Sequence, residues 1–245
     1  MDKNAFNIGI ITQARMTSTR LPGKVLKLVN GKSLLAYHIE RLQQTGFSIA
    51  IATTTNHTDD PLVDFAKEYH LNYYRGSEDD VLSRFYHTAK QFKYDIIVRV
   101  TSDCPLIDPH LIRNSVNKYI KLDNPNLYMS NVIARTFARG FDFEIFSYQS
   151  LKDAFENATE ASDLEHVTPY IRKNIQGKTN FHDVVQSSDH SHLRLTVDTE
   201  PDFELIKQLI ENHNAAELAY TEIEEILLKN PQLAAINEHI EQKKV

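Results

Sequence analysis

Short apolar runs alternate with longer amphipathic stretches through the first half of the chain. Residues 8–12 (IGIIT) carry no helical stripe and predict a strand. From Ser33, a suitable N-cap, to residue 44 the period lengthens. Leu34, Leu35, Ile39 and Leu42 fall on one helical face, and Gly46 follows as a stop. The alternation then repeats: a buried strand at 49–53 (IAIAT), a helix at 61–70 and a strand at 71–74. A helix at 78–92 turns Val81, Leu82, Phe85 and Ala89 inward, and 95–100 (DIIVRV) is the next strand. Residues 108–121 form a helix opened by Asp108-Pro109, a good N-cap and N1 pair. This order predicts an α/β fold with a mostly parallel, doubly wound sheet flanked by helices.

The second half is less regular. Strands are predicted at 143–146, 181–185 and 193–197, and helices at 163–174, 202–212 and 217–228. The tail EHIEQKKV from residue 238 reads as a fraying surface helix. No repeat, low-complexity tract or Gly/Ser linker divides the chain. The expectation is one domain over 1–245, with halves of about 1–122 and 123–245 and a small antiparallel extension in the second.

Ligands of such sheets bind beyond the carboxyl ends of the strands. Directly after the first strand stands QARMTSTRLPGK (13–24), with Arg15, Arg20 and Lys24 set among Thr17, Ser18 and Thr19. Such a loop suits phosphates, since Arg grips their oxygens in pairs and Lys supplies a mobile charge. The bland alternative is a solvated loop paired with surface acids. Neither GxxxxGK[ST] nor GxGxxG is present, so any phosphate is held more by side chains than by glycine backbone.

Two acids occupy comparable positions. Asp103 follows DIIVRV in VRVTSDCPLIDP, and Asp198 follows the alternating Leu193, Leu195 and Val197 in HLRLTVDTEPDF. Facing a phosphate loop, such carboxylates are natural Mg2+ ligands. As ordinary residues, Asp103 caps a turn beside Pro105 and Asp198 opens a helix.

Composition narrows the partners. Hydrophobic residues are 41% and charged residues 24%, ordinary for a globular chain. With 27 basic and 33 acidic residues the formal charge is −6, which disfavours nonspecific nucleic-acid binding. The single cysteine, Cys104, permits no intrachain disulfide. No apolar run approaches the roughly 20 residues that span a bilayer. The expectation is a soluble, cytoplasmic protein without a membrane or nucleic-acid partner.

ITQARMTSTRLPGKVL resembles the signature loop of the sugar-acid cytidylyltransferases, especially the CMP-3-deoxy-manno-octulosonate synthetase type, whose pattern is close to PARxxSTRLPGKxL. RGSEDDVLSR (75–84), TSDCPLIDP (101–109), LEHVTPYI (164–171) and LTVDTEPDF (195–203) resemble further motifs of the family, in order, and are nearest to the spore-coat SpsF-like branch. The likeness covers about residues 7–205. It implies a GT-A-like, Rossmann-related fold and transfer of CMP from CTP to a sugar hydroxyl, with Mg2+ and release of pyrophosphate. Arg15, Arg20 and Lys24 would bind the triphosphate, with Ala14, Ser18, Arg84 and Ser102 beside the nucleotide. Lys24, Arg15, Asp103 and Asp198 would be catalytic, and the two aspartates would hold the metal. Homodimers are common among such relatives. The departures are Gln13 for the usual Pro, Ser102 for the usual Gly, and the order Glu200-Pro201.

An acceptor site is expected in the second half. Asn131, Arg139, Asp142 and Glu144 in YMSN and RGFDFEIF, with Glu165 and His166, suit a polyhydroxylated acid. Alternation puts Asp142 and Glu144 on one strand face, opposite Phe141, Phe143 and Ile145. Eight- or nine-carbon ketose acids are preferred as acceptors, with a polyol phosphate or another hydroxylated acid as alternatives. Asp142 and Glu144 would otherwise be a solvated face, and His166 a packed histidine. Two rival functions remain: a GT-A glycosyltransferase, for which SDC (102–104) offers one acid where two are usual, and an inert nucleotide-binding homologue.

Overall fold

The structure of the protein, a computed structural model, describes residues 6–242. β1 (Ile8–Gln13) leads through a 3-10 turn (Lys24–Leu26) and a two-stranded ribbon, β2 (Leu28–Val29) and β3 (Lys32–Ser33), into α1 (Leu34–Gln43). β4 (Ser48–Thr54), α2 (Asp60–Glu68), β5 (Asn72–Gly76), α3 (Val81–Phe92), β6 (Ile96–Thr101) and α4 (Pro109–Leu122) follow. These match the periodicity to within a few residues. The predicted caps form: Ser33 Oγ accepts from the Ala36 N–H at 3.1 Å, and Asp108 Oδ1 from the Leu111 N–H at 2.8 Å. α3 starts at Val81 rather than 78, because Asp80 accepts from the Ser83 N–H at 2.8 Å.

The chain continues as β7 (Leu127–Ser130), β8 (Glu144–Ser147), α5 (Tyr148–Asn157), α6 (Ala161–His166), α7 (Pro169–Lys173), β9 (Asn180–Asp183), α8 (Glu200–His213), α9 (Tyr220–Lys229) and α10 (Pro231–Ala234). Seven strands form one sheet in the order β5-β4-β1-β6-β8-β7-β9. Only β8 runs against the rest, antiparallel to both β6 and β7. That reversal is the predicted antiparallel extension.

Alternate residues of β1 serve opposite faces. Ile10 packs with Leu35 and Ile39 of α1, Phe65 of α2 and Val116 of α4. Ile11 packs with Leu82 and Phe85 of α3 and Leu151 of α5. A further apolar cluster joins α8 and α9 to Leu193, Leu195 and Val197. Among the described residues no helix is long and apolar enough to cross a membrane.

Three expectations are corrected. Residues 193–197 are not a strand: Leu193, Arg194, Leu195 and Val197 are all buried, and the segment makes a single isolated bridge, Arg139 to Arg194. The predicted helix at 163–174 breaks at Val167, whose φ of 70° and ψ of −50° form a γ-turn closed by the Thr168 N–H on the His166 carbonyl at 2.8 Å. The tail is not helical over 238–242, where a turn gives way to irregular chain, and 243–245 lie outside the described residues. β7 and α5 escaped prediction because LYMS is short and uniformly buried and α5 buries only Leu151 and Ala154.

Candidate active site

Sheet order reverses at β1. The chain goes outward from β1 to β4 and β5, then returns to β6 on the other side. A crevice therefore opens beyond the carboxyl ends of β1 and β6. The basic loop leaves β1 into it and is closed on itself, as Gly23 (φ 67°) turns the chain so that its N–H donates to the Met16 carbonyl at 2.9 Å. Acids hold the loop from outside. Asp59 accepts from the Met16 N–H at 2.7 Å, and Glu78 from the Thr17 hydroxyl at 2.7 Å. Arg15 reaches Glu78 at 3.3 Å.

Lys24 begins the 3-10 turn and points back across the crevice. Its Nζ lies 2.9 Å from Asp103 Oδ2 and 2.8 Å from Asp198 Oδ1. Asp103 sits just beyond β6. Asp198 is brought to it by the backbone, since the Val197 N–H donates to the Asp103 carbonyl at 2.8 Å. On the other side, Leu195 lies against Gly140, whose φ is 111°. A Cβ there would stand 2.7 Å from the Leu195 carbonyl carbon, so a side chain would push the segment away. Buried Asp202 fixes the Asp198 turn, accepting from the Asp198 N–H at 3.0 Å and the Thr199 N–H at 2.9 Å. It also accepts from Arg194. The Thr199–Asp202 capping box was its only sequence signal.

Burial alone would raise the Asp103 carboxyl. The Lys24 ammonium overrides it, helped by hydrogen bonds from Thr101, Lys24 and Cys104, and holds Asp103 well below the usual carboxylate range. For Lys24, burial alone would lower the pKa, and the two carboxylates together raise it. Asp198 is further engaged by Arg20 and Arg194, each at 3.0 Å from Oδ2.

These groups line a cavity of about 540 Å3, which also contains Ala14, Arg15, Ser18, Arg84, Ser102, Glu165 and His166. Gln13 Oε1 lies in the same wall, buried and unpartnered among the described residues. Arg84 lies beneath the 77–80 turn and donates to the Ser77 carbonyl at 2.8 Å. Burial, reinforced by nearby Arg15, lowers its guanidinium to about 10. The wall carries four basic side chains and six acidic ones. A polyphosphate entering it would meet excess negative charge unless a further cation came with it.

A second cavity, of about 680 Å3, adjoins the first and shares Thr101 and His166 with it. It takes in Arg139, Asp142 and Glu144, together with Arg99, Arg135 and Arg172, which sequence reasoning missed because they come from separate elements. Two expected acceptor residues are otherwise occupied. Asn131 lines neither cavity. It is fully buried, and its amide spans the Phe141 carbonyl at 2.8 Å and the Phe143 N–H at 3.0 Å. Glu144 is buried, not on a solvated face. It is bound by Arg99, Tyr128 and Thr168, the last at 2.7 Å. Burial raises its pKa, but Arg99 and the two hydroxyls outweigh this and lower it. Asp142 pairs with both nitrogens of the Arg135 fork at 2.6 and 3.0 Å. His166 stands at the junction, and burial lowers its pKa, with Arg99 and Arg172 outweighing part of the opposing pull of Glu165.

The sequence profile described as cytidylyltransferase matches residues 8–231. The chain belongs to the cytidylyltransferase family. It is 30% identical over 244 residues to the spore coat polysaccharide biosynthesis protein SpsF of Bacillus subtilis, covering 95% of this chain and 98% of that one. A solved cytidylyltransferase from Leptospira borgpetersenii is 33% identical, with a TM-score of 0.88 over 98% of this chain and 100% of that one. CMP:2-keto-3-deoxy-manno-octonic acid synthetase, solved with CTP, shares the fold at 15% identity, with a TM-score of 0.61 over 84% of this chain and 99% of that one. Membership makes the chain a nucleotidyltransferase and sets aside the glycosyltransferase alternative.

Proposed function

We propose that the protein transfers CMP from CTP to a hydroxyl of a sugar acid of the ulosonic type, releasing pyrophosphate, in the making of a nucleotide sugar for a surface polysaccharide. One observation carries this reading: Lys24, Asp103 and Asp198, from three distant segments, converge on one point beside a basic loop. Arg15, Arg20 and Lys24 would hold the triphosphate, with Ala14, Ser18, Arg84 and Ser102 beside the nucleotide. The name of the SpsF relative supports the polysaccharide setting, and the synthetase solved with CTP supports the nucleotide.

The donor set fits Mg2+. Two hard carboxylates already share one cation, the Lys24 ammonium, and a metal entering there would free Lys24 for the phosphates. Asp103 and Asp198 would hold the ion, which when bound offsets charge on the triphosphate and polarises the α-phosphate. The remaining work is positioning and electrostatics by the chain. The basic loop would draw pyrophosphate away from the α-phosphorus. The acceptor would lie in the second cavity, near Arg139 and Asp142, with its hydroxyl entering past Thr101 and His166 into the first, where Glu165 stands. Asp198 is a poor candidate to take the hydroxyl proton, because both its oxygens are engaged by Lys24, Arg20 and Arg194. The same reading takes the enzyme to be a homodimer, as the resemblance implies, and cytoplasmic, as its composition suggests.

Pyrophosphate release tests the proposal, with Mg2+, each of the four nucleoside triphosphates, and a panel of sugar acids and sugar phosphates. Release with CTP and one acceptor class is the expected result. Release only with another nucleotide would overturn the CTP assignment. CTP binding without release across the panel would favour the inert homologue.

A further inference from the structure

Cations and anions are unequal in the second cavity, in the opposite sense to the first. Four guanidiniums face it against two carboxylates. Arg99 is taken by Glu144 and Arg135 by Asp142. Among the described residues, the guanidiniums of Arg139 and Arg172 have neither a carboxylate nor a hydrogen-bond partner. They stand in different neighbourhoods. Arg172, on α7, acts on Glu144 and His166, whereas Arg139 acts near Arg135, Asp142 and Arg194. Burial and the proximity of Arg135 lower the Arg139 guanidinium and outweigh the opposing pull of Asp142, which is itself paired to Arg135.

A partly buried guanidinium without a partner is costly, and a planar fork is well matched to a carboxylate or a phosphate. A neutral sugar would leave both guanidiniums without a direct ionic partner, and a molecule with one acid group would leave one so. We infer that the acceptor bears two separate anionic groups, one met by Arg139 and the other by Arg172: a hydroxy acid with a second carboxylate or a phosphate. This rests on the reading of the second cavity as the acceptor site. It sharpens that reading, since a ketose acid with a single carboxylate is not the best fit. The surplus of cations here and of acids next door also sorts the two substrates. The metal-bearing nucleotide suits the acid-rich cavity, and a metal-free molecule with two anionic groups the arginine-rich one.

The test is calorimetric titration with matched pairs of probes that differ by one anionic group. The pairs are glycerate against 3-phosphoglycerate, and 3-deoxy-manno-octulosonate against its 8-phosphate. Each is run with and without Mg2+ and a non-hydrolysable CTP analogue, so the result stands whether or not the nucleotide binds. Within a pair the probe with two anionic groups is expected to bind at least ~10-fold tighter, the scale of one charge-assisted contact. Arg139→Gln and Arg172→Gln should each remove most of that preference while the circular dichroism spectrum stays that of the wild type. No preference within either pair, including the case in which no probe binds, would overturn the inference. So would a preference that survives both substitutions, or substitutions that weaken the CTP analogue instead of the acids. Failure of the wild type to bind the CTP analogue is read separately and counts against the cytidylyltransferase proposal.

Discussion

Lys24→Met removes one charge and keeps the reach of the side chain, so it isolates what the ammonium does. Lys24 is 12% exposed and bridges Asp103 and Asp198 at 2.9 and 2.8 Å. Asp198 keeps Arg20 and Arg194 in the variant, whereas Asp103 loses the charge that outweighs its burial. A hydrogen bond to a charged group is worth about 1.5–3 kcal/mol net, and only the Asp103 side counts in full, so the loss is about 2–3 kcal/mol near neutral pH. For a chain of this size that lowers Tm by roughly 4–12 °C. The sign with pH follows from Asp103. Its folded pKa lies below its unfolded value, so its contribution is complete above about pH 5 and lost as pH falls through the folded value. The gap between wild type and variant should therefore be widest near pH 7 and narrow toward pH 3. Mg2+ should stabilise the variant more than the wild type, because the carboxylates no longer have a resident cation to displace. Urea unfolding at both pH values, with and without Mg2+, measures all three effects. Equal stability at pH 7, or a gap as wide at pH 3, would refute the reasoning.

Glu144→Gln should cost about 3 kcal/mol in urea unfolding, since it leaves the Arg99 guanidinium largely buried without its carboxylate; a loss below ~1 kcal/mol would show that the Tyr128 and Thr168 hydroxyls, not the ion pair, hold this strand. Gly140→Ala forces a Cβ against Leu195 at a φ of 111°, so it should cost about 2 kcal/mol and slow pyrophosphate release by displacing Asp198. Normal stability with normal turnover would contradict that. The His166 ring, followed by NMR, should titrate below 6.5, so that it is neutral near pH 7. A midpoint at or above 6.5 would mean that Glu165, not burial with Arg99 and Arg172, dominates its surroundings.

How much of this was legible in the chain depends on how far each contact reaches. Strands β1, β4 and β6 announce themselves because both of their faces are covered and the apolar runs are continuous. The basic loop and the two aspartates could be placed by rule, at strand ends. Their convergence could not, since Lys24 and Asp198 are 174 residues apart and no local pattern records that pairing. Asn131 and Glu144 show the converse failure. A period of two separates the faces of a strand but does not say what covers each face. β8 lies inside the sheet between β6 and β7, so Glu144 is buried there beside Arg99. Asn131 is spent bridging the loop that returns to β8. The second cavity was the least legible part. Arg99 comes from β6, Arg172 from α7, and Arg135 and Arg139 from the loop between β7 and β8. A chain of net charge −6 gave no hint that they would meet. Net charge governs long-range attraction, but a site of this size answers to the few charges in its own wall, and the fold has sorted those by sign. If the acceptor lies in the second cavity, its preference should follow the cations left once the internal ion pairs are made, and among the described residues lining that cavity these are Arg139 and Arg172.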